Sequence, residues 1–193
     1  MRKIYSVRAF LTLCILAVSS LIGGMSAQAQ KWVATEISEL ATGDVVVIVT
    51  SDRAMSNGNG TSKAPVATSV TFNTDKTEIT GDVVDDLKWS IEVENGKYKF
   101  AKIGETTNYL YCTSTNNGVR VGTNTANTFL WDATTNKLKN VSTSRWIGVY
   151  NSQDWRCYTT TTGNIKETVT KFFKYIIEEG AAPEFSVSLV SYK

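Results

Sequence analysis

The sequence predicts an all-β fold built from repeated four-stranded units, and three observations carry that prediction. Val, Thr, Tyr, Phe and Trp recur in short runs, which is the composition of β-strands. Asn, Gly, Ser and Asp separate these runs, and only two prolines occur, so short turns are expected to join the strands. Similar runs return at intervals of about forty residues, which indicates a repeat architecture.

The 193 residues suffice for one domain with a substantial core, preceded by a targeting segment. Residues 1–29 combine a basic start (MRK), an apolar stretch from Phe10 to Ile22 and small residues ending in Ala29, the pattern of a secretory signal peptide. The apolar stretch is short for a membrane span, and no stop-transfer cluster follows it. We therefore expect cleavage after about Ala29 and a mature chain that is secreted, periplasmic or on the cell surface, without a membrane span.

One helical turn is expected before the first strand of the repeats. The segment from Ala34 to Ala41 places Ile37 and Leu40 three residues apart, and Thr35 stands where it would cap the start of a helix.

Twelve strands follow, in three sets of four. The first set is residues 44–50, 53–56, 67–72 and 87–93. The second set is residues 98–103, 109–113, 118–122 and 128–132. The third set is residues 137–142, 145–150, 155–160 and 171–176. In each set a hairpin separates two outer strands, and Trp89 and Trp131 mark the period because both stand in a fourth strand.

Three four-stranded units of this length describe a β-trefoil, in which the outer strands close a barrel and the hairpins cap one end of it. We assign residues 30–178 to this domain, and residues 179–193 to a linker and a short extra C-terminal strand. A propeller is disfavoured because it usually needs at least four blades. A two-sheet sandwich stays open, because periodicity does not fix how strands close.

The composition excludes several kinds of chemistry. The chain has no histidine, which removes Ser-His and Cys-His nucleophilic mechanisms and the commonest metal ligand. The net charge of +2 does not resemble the basic surface of a nucleic-acid-binding protein. The carboxylates open to acid–base roles are Asp85, Asp86, Asp132, Asp154, Glu105 and Glu167. Asp85-Asp86 is interpreted as a solvated turn before a strand, and a hydrolase that uses a pair of these carboxylates is the less favoured alternative. We expect no cofactor, no metal and no catalytic residues, and thus not an enzyme.

Only Cys112 and Cys157 remain after removal of the signal peptide, which contains Cys14. Export would permit a disulfide between them. Both also stand in apolar runs where a free cysteine behaves as a small buried hydrophobe, and that interpretation is preferred.

The turns of the hairpins are the candidate binding elements. Amide and carboxylate side chains bind sugar hydroxyls, while an aromatic ring covers the apolar face of the sugar. The predicted ligand-binding residues are Asn151, Gln153, Asp154, Trp155, Arg156 and Tyr158 in the third unit, and Tyr111, Asn116, Asn117 and Arg120 in the second. The alternative is that Asn and Asp only form the turns and that Trp155 covers the bottom of the barrel.

The layout over residues 45–176 resembles the β-trefoil superfamily, which includes ricin-type lectins, plant protease inhibitors and fibroblast growth factors. The stretches AMSNGNGTSKAP, LYCTSTNNGVRVGTN and RWIGVYNSQDWRCYT also look like an uncharacterised domain of secreted proteins in gut Bacteroidetes. Gln153-Asp154-Trp155 matches the letters of the Gln-x-Trp element of ricin-type lectins. The element occurs once here and lies between the second and third strands of its unit, whereas in those lectins it recurs near the fourth strand.

These features together predict a secreted, non-enzymatic and monomeric module that binds carbohydrate. A protein-interaction, adhesion or protease-inhibitor-like module is the alternative, with an extracellular protein in place of a glycan, because aromatic and arginine side chains suit both kinds of partner.

Overall fold

The computed structural model describes residues 30–165 and 169–177, and their regular secondary structure is almost entirely antiparallel β-strand. The first seven strands are β1 (Gln30–Thr35), β2 (Val45–Thr50), β3 (Arg53–Asn59), β4 (Pro65–Ser69), β5 (Glu78–Ile79), β6 (Trp89–Glu94) and β7 (Lys97–Lys102). The remaining strands are β8 (Tyr109–Cys112), β9 (Val119–Gly122), β10 (Phe129–Asp132), β11 (Lys137–Asn140), β12 (Trp146–Tyr150), β13 (Asp154–Tyr158) and β14 (Thr170–Ile177). Two single-turn 3₁₀ helices span Ile37–Glu39 and Asp85–Leu87.

Six of these strands form a continuous series of antiparallel pairs. Strand β14 pairs with β2, β2 with β6, β6 with β7, β7 with β10, and β10 with β11. At the free ends of the series, the backbone N–H of Thr170 in β14 donates to the carbonyl of Asn136, just before β11, at 2.9 Å. We call β2, β6, β7, β10, β11 and β14 the outer strands.

Three hairpins lie between the outer strands along the chain. Hairpin 1 is β3–β4, hairpin 2 is β8–β9 and hairpin 3 is β12–β13, and each pairs back onto the outer strand that precedes it. Hairpins 1 and 3 also pair with one another, because Val66 of β4 stands opposite Asp154 of β13.

The main core draws on both the outer strands and the hairpins. Alternate residues of the outer strands point inward, and the ring of Phe100 lies 6.2 Å from that of Phe129 and 6.0 Å from that of Phe172, measured between centroids. Apolar residues of the hairpins, including Met55, Leu110 and Trp155, complete this cluster. Each hairpin therefore covers the apolar interior, and its remaining face is directed outward.

A second, smaller core lies on the other face of β2. Trp32 of β1 and Ile79 of β5 stand opposite each other and belong to the same apolar cluster as Val47 and Val49 of β2. Strand β2 is consequently buried on both faces, which explains its uninterrupted apolar sequence VVVIVT.

Each of the twelve predicted strands overlaps an observed strand, which confirms the all-β prediction. Strands β1 and β5 are additional to the predicted set. The predicted capping role of Thr35 is wrong, because its hydroxyl donates to the carbonyl of Val33 and the helical turn has no side-chain cap. The helix itself is one turn, as expected.

The predicted signal peptide in residues 1–29 and the predicted linker and strand in residues 179–193 lie outside the described residues. Residues 30–176 form one compact unit. Within the described part of the chain, no helix is both long enough and apolar enough to span a membrane.

Candidate functional site

Single polar side chains join the three hairpins to one another. The side chain of Asn59 in hairpin 1 exchanges two hydrogen bonds with the backbone of Val121 in hairpin 2, each at 2.8 Å. Arg145, next to hairpin 3, donates to Asn116 Oδ1 and to the Ser114 carbonyl in hairpin 2, both at 2.7 Å. These contacts place the turn of hairpin 2 against the start of hairpin 3, and they do not involve the predicted turn residues 151–153 of hairpin 3.

The predicted residues of hairpin 2 act largely within the protein. Asn116 is exposed but its Oδ1 accepts from Arg145, and Arg120 donates to the carbonyls of Asn117 and Val119. Tyr111 lies opposite Arg120 on the neighbouring strand and is half-buried. Hairpin 2 therefore offers few polar groups without internal partners.

Trp155 is fully buried, with 0% of its surface exposed, and it belongs to the main core. Residues 155 and 157 of β13 point inward, whereas residues 154, 156 and 158 point to the other side, because successive side chains of a strand alternate. The predicted ligand contact through the ring of Trp155 is therefore wrong in this structure. The alternative, that Trp155 closes the interior beneath the hairpin, agrees with its position.

The outer side of hairpin 3 carries an ordered group of aromatic and charged side chains. Across β12 and β13, Trp146 stands opposite Tyr158, Gly148 opposite Arg156, and Tyr150 opposite Asp154. We call Trp146, Tyr150, Asp154, Arg156 and Tyr158 the outer aromatic face. Trp146, Tyr150 and Arg156 are half-buried, whereas Asp154 and Tyr158 are buried.

Arg156 is held at the centre of this face by two neighbours. Its Nε donates to Asp154 Oδ1 at 2.6 Å and its Nη2 donates to Oδ2 at 3.2 Å. Its guanidinium carbon lies 3.9 Å from the centroid of the Tyr150 ring, a close cation–π contact. The hydrogen bond to Asp154 raises the pKa of Arg156 above its ordinary value.

Asp154 also fixes the face to hairpin 1. Ser62 Oγ donates to Asp154 Oδ2 at 2.9 Å, and the backbone N–H of Ala67 donates to the carbonyl of Gln153 at 3.1 Å. With 5% of its surface exposed, Asp154 positions Arg156 more than it offers a contact to a ligand. The exposed Asn151 and Gln153 have no side-chain hydrogen bond to any part of the chain that the structure describes.

Trp146 extends the face toward β10 and β11. Its indole N–H donates to Asp132 Oδ2 at 2.7 Å, and the ammonium of Lys139 lies 4.3 Å from its ring centroid. A row of four residues crosses strands β10, β11, β12 and β13, and each residue is paired with the next: Leu130, Lys139, Trp146 and Tyr158. Sequence reasoning missed Trp146 and Tyr150, although alternation in RWIGVY places both on the side opposite the apolar Ile147 and Val149.

Substitution of Asp132 by Asn is expected to destabilise the protein by about 1.5 kcal/mol at pH 7. Burial alone would raise the pKa of Asp132, but hydrogen bonds from Trp146, Thr135 and Thr134 outweigh burial and hold that pKa below its ordinary value of 3.8. An Asn side chain loses one of these acceptor oxygens. Urea unfolding of wild type and variant gives the difference in the free energy of unfolding.

The same comparison has a defined pH dependence. A depressed folded-state pKa contributes stability that is present above pH 3.8 and is lost as the pH falls through the folded-state pKa. The gap between wild type and the Asp132→Asn variant should therefore narrow as the pH falls from about 5 through 3.8 and below. A gap that stays constant over this range would contradict the assignment.

A surface groove of about 410 Å³ lies at the β6–β7 hairpin and includes Glu92, Lys99, Thr128 and Val141. Glu92 accepts from the Tyr109 hydroxyl at 2.6 Å and lies 3.7 Å from Lys99 Nζ. Among the carboxylates considered for catalysis, Asp85 pairs with Lys88 and Glu105 pairs with Lys102, while Glu167 lies outside the described residues. No group of three or more cysteine, aspartate or glutamate residues within the described ranges is placed to hold a metal ion.

Comparisons with known proteins add little to this geometry. No protein-family model matches the chain, and no curated protein matches it. Among solved structures, SeviL bound to asialo-GM1 saccharide matches with a TM-score of 0.40 and 16% sequence identity, over 67% of this chain and 97% of that one. A similarity of this size carries no argument about fold or function, so the proposals below are argued from this chain's own residues.

Proposed function

We propose that the chain is a β-trefoil module that binds carbohydrate on the outer aromatic face of hairpin 3. The trefoil is supported by the antiparallel series from β14 to β11 and by the Thr170–Asn136 bond between its ends, which suit a closed barrel of six strands. One hairpin follows each of β2, β7 and β11, as three units of four strands require.

The contact between Arg156 and Tyr150 is the observation that carries the binding proposal. The bonds of Arg156 to Asp154 use two of the five guanidinium N–H donors, which leaves donors for the hydroxyl groups of a sugar. Tyr150 supplies a ring that is held in place on one side by the guanidinium, so that its other side suits the C–H face of a sugar ring. The exposed amides of Asn151 and Gln153 add further donors and acceptors nearby.

Binding rather than catalysis is favoured by the state of the carboxylates. Asp154 is engaged with Arg156 and Ser62, and Asp132 with Trp146, so neither carboxylate is left to exchange a proton with a substrate. Glycoside hydrolysis requires two carboxyl groups that face each other across the sugar.

A glycan array probed with the intact protein tests the proposal, followed by titration of any glycan that binds. Substitution of Arg156 by Gln removes the charged donors and is expected to weaken binding about 10- to 100-fold. Lys97→Gln is the matched control, because it removes one positive charge from an exposed position on β7 and should leave affinity unchanged. Absence of binding to every glycan at high protein concentration, or equal affinity of the Arg156→Gln variant, would refute the proposal.

A protein partner is the second candidate, and the row from Leu130 to Tyr158 favours it. Leu130 is 41% exposed and lies beside the half-buried Lys139 and Trp146, and tryptophan is among the residue types enriched in protein hot spots. Soluble sugars distinguish the candidates, because they should displace a glycoprotein held through its glycan but not a partner held through its polypeptide.

A further inference from the structure

The two cysteines of the described chain lie against each other at the contact between hairpins 2 and 3. Cys112 ends β8 and Cys157 lies in β13, and both are buried free thiols that belong to the main core. The sulfur of Cys157 is also 3.3 Å from the carbonyl of Thr115 and 3.8 Å from that of Thr113, the residue after Cys112. Cys157 thus lies beside the end of β8, where Cys112 stands, although the two residues are distant in sequence.

The groups around the two cysteines shift their thiol pKa values in opposite directions. The hydrogen bond from Cys112 is the largest effect that lowers the pKa of Cys157, and burial opposes it. The backbone N–H of Gly118 and the positive charges of Arg145 and Arg120 favour the Cys157 thiolate further. Burial and the adjacent Cys157 raise the pKa of Cys112. Cys157 is therefore the better nucleophile of the two.

We propose that Cys112 and Cys157 are oxidised to an intramolecular disulfide that cross-links hairpin 2 to hairpin 3. The oxidant is a small-molecule or protein disulfide, such as oxidised glutathione. The Cys157 thiolate attacks one sulfur of this disulfide and releases one thiolate, and the Cys112 thiolate then attacks the mixed disulfide and releases the second. Two S–H bonds are lost and one S–S bond forms, while two electrons and two protons pass to the oxidant, which leaves as two thiols.

Burial determines when this reaction occurs. Cys112 is 1% exposed and Cys157 is 0% exposed, so an external disulfide does not reach them in the closed fold. Oxidation is therefore expected during folding, when hairpins 2 and 3 have brought the two cysteines together but have not yet closed over them, in the oxidising compartment to which the predicted signal peptide directs the chain. The inference does not depend on carbohydrate binding.

Oxidative refolding of the intact protein in a glutathione redox buffer tests the proposal. After alkylation of free thiols and digestion with trypsin, Cys112 falls in the peptide of residues 103–120 and Cys157 in the peptide of residues 157–166. We expect mass spectrometry to find these two peptides joined, with a mass two hydrogens below their sum. Recovery of both as separate alkylated peptides from the refolded protein would overturn the proposal.

Thermal unfolding provides a second measurement that is independent of peptide recovery. Closure of a loop of about 45 residues is expected to raise the Tm of the oxidised protein by about 10 °C over the reduced protein. The Cys14→Ser variant should retain both the linked peptide and the Tm difference, whereas Cys157→Ser should lose both. Equal Tm values for oxidised and reduced wild type, with no linked peptide, would also overturn the proposal.

Discussion

Replacement of Trp155 by Ala is expected to lower the free energy of unfolding by about 3–5 kcal/mol, one of the two largest effects that we predict. The ring is fully buried in the main core, so its removal leaves a cavity that its neighbours in rigid strands fill only in part. Guanidinium unfolding monitored by circular dichroism gives the change in stability.

Two further tryptophan variants show whether this loss comes from core volume. Trp155→Phe keeps most of the ring and removes an indole N–H that has no hydrogen-bond partner in the described chain, so its cost should be well below that of Trp155→Ala. Trp146→Ala removes a half-buried ring of the outer aromatic face together with its hydrogen bond to Asp132, so it should cost less than Trp155→Ala, while it weakens glycan binding. A loss of less than about 1 kcal/mol for Trp155→Ala would show that the ring is not in the core.

Replacement of Asn140 by Asp is expected to cost about 3–5 kcal/mol at pH 7, although the two side chains have nearly the same shape. Asn140 is fully buried, and its Nδ2 donates to the carbonyls of Ala126 at 2.7 Å and Thr128 at 3.3 Å. A carboxylate would direct a negative oxygen at these two carbonyl oxygens. Urea unfolding of the variant measures the cost.

The penalty should depend on pH in a direction that identifies its cause. Thr143 donates two hydrogen bonds to the oxygen at this position and would favour the carboxylate, but burial and the two carbonyls are expected to outweigh them and to raise the folded-state pKa of the introduced carboxyl group above its unfolded value of about 3.9. The ionisation penalty is therefore absent below that unfolded value and grows as the pH rises toward the folded-state pKa.

Asn124→Asp is the matched control for the Asn140→Asp variant. Asn124 is exposed and its Oδ1 only accepts, from the N–H of Ala126, so a carboxylate fits there at all pH values. Equal costs for the two substitutions would contradict this account.

The sequence predicts the strands well because their signal is local. Runs such as VVVIVT and RWIGVY carry both β propensity and alternation, and the turns between them contain residues suited to positive φ, as Asn151 and Ser152 show at 48° and 56°. Strand β5 is different, because two residues, Glu78 and Ile79, are too few to produce a pattern. Its pairing with Trp32 of β1 joins residues that are far apart in the sequence, so no local pattern predicts it.

The site was harder to predict than the strands, because alternation shows which side chains share a face but not which face is buried. In DWRCY, both sets contain an aromatic residue, Trp155 on one side and Tyr158 on the other. Contact with the main core determines which of the two sets of side chains faces inward, and that contact depends on strands elsewhere in the chain. Asn59 is a second example of a position that its local sequence does not predict. The letters Asn-Gly-Asn-Gly at residues 57–60 are typical of a loop, but strand β3 continues to Asn59 with an irregular register against β4.

The contacts that join the hairpins through Asn59, Arg145 and Asp154 make this fold a candidate scaffold for designed libraries. Positions 151–153 project from the tip of hairpin 3 without side-chain hydrogen bonds in the described chain, so they can be randomised while those three joints stay unchanged. Codons at 151 and 152 are best restricted to Asn, Asp and Gly, which tolerate the left-handed backbone there. Selection from such a library would change the binding specificity of the tip of hairpin 3 and leave the contacts between the hairpins unchanged.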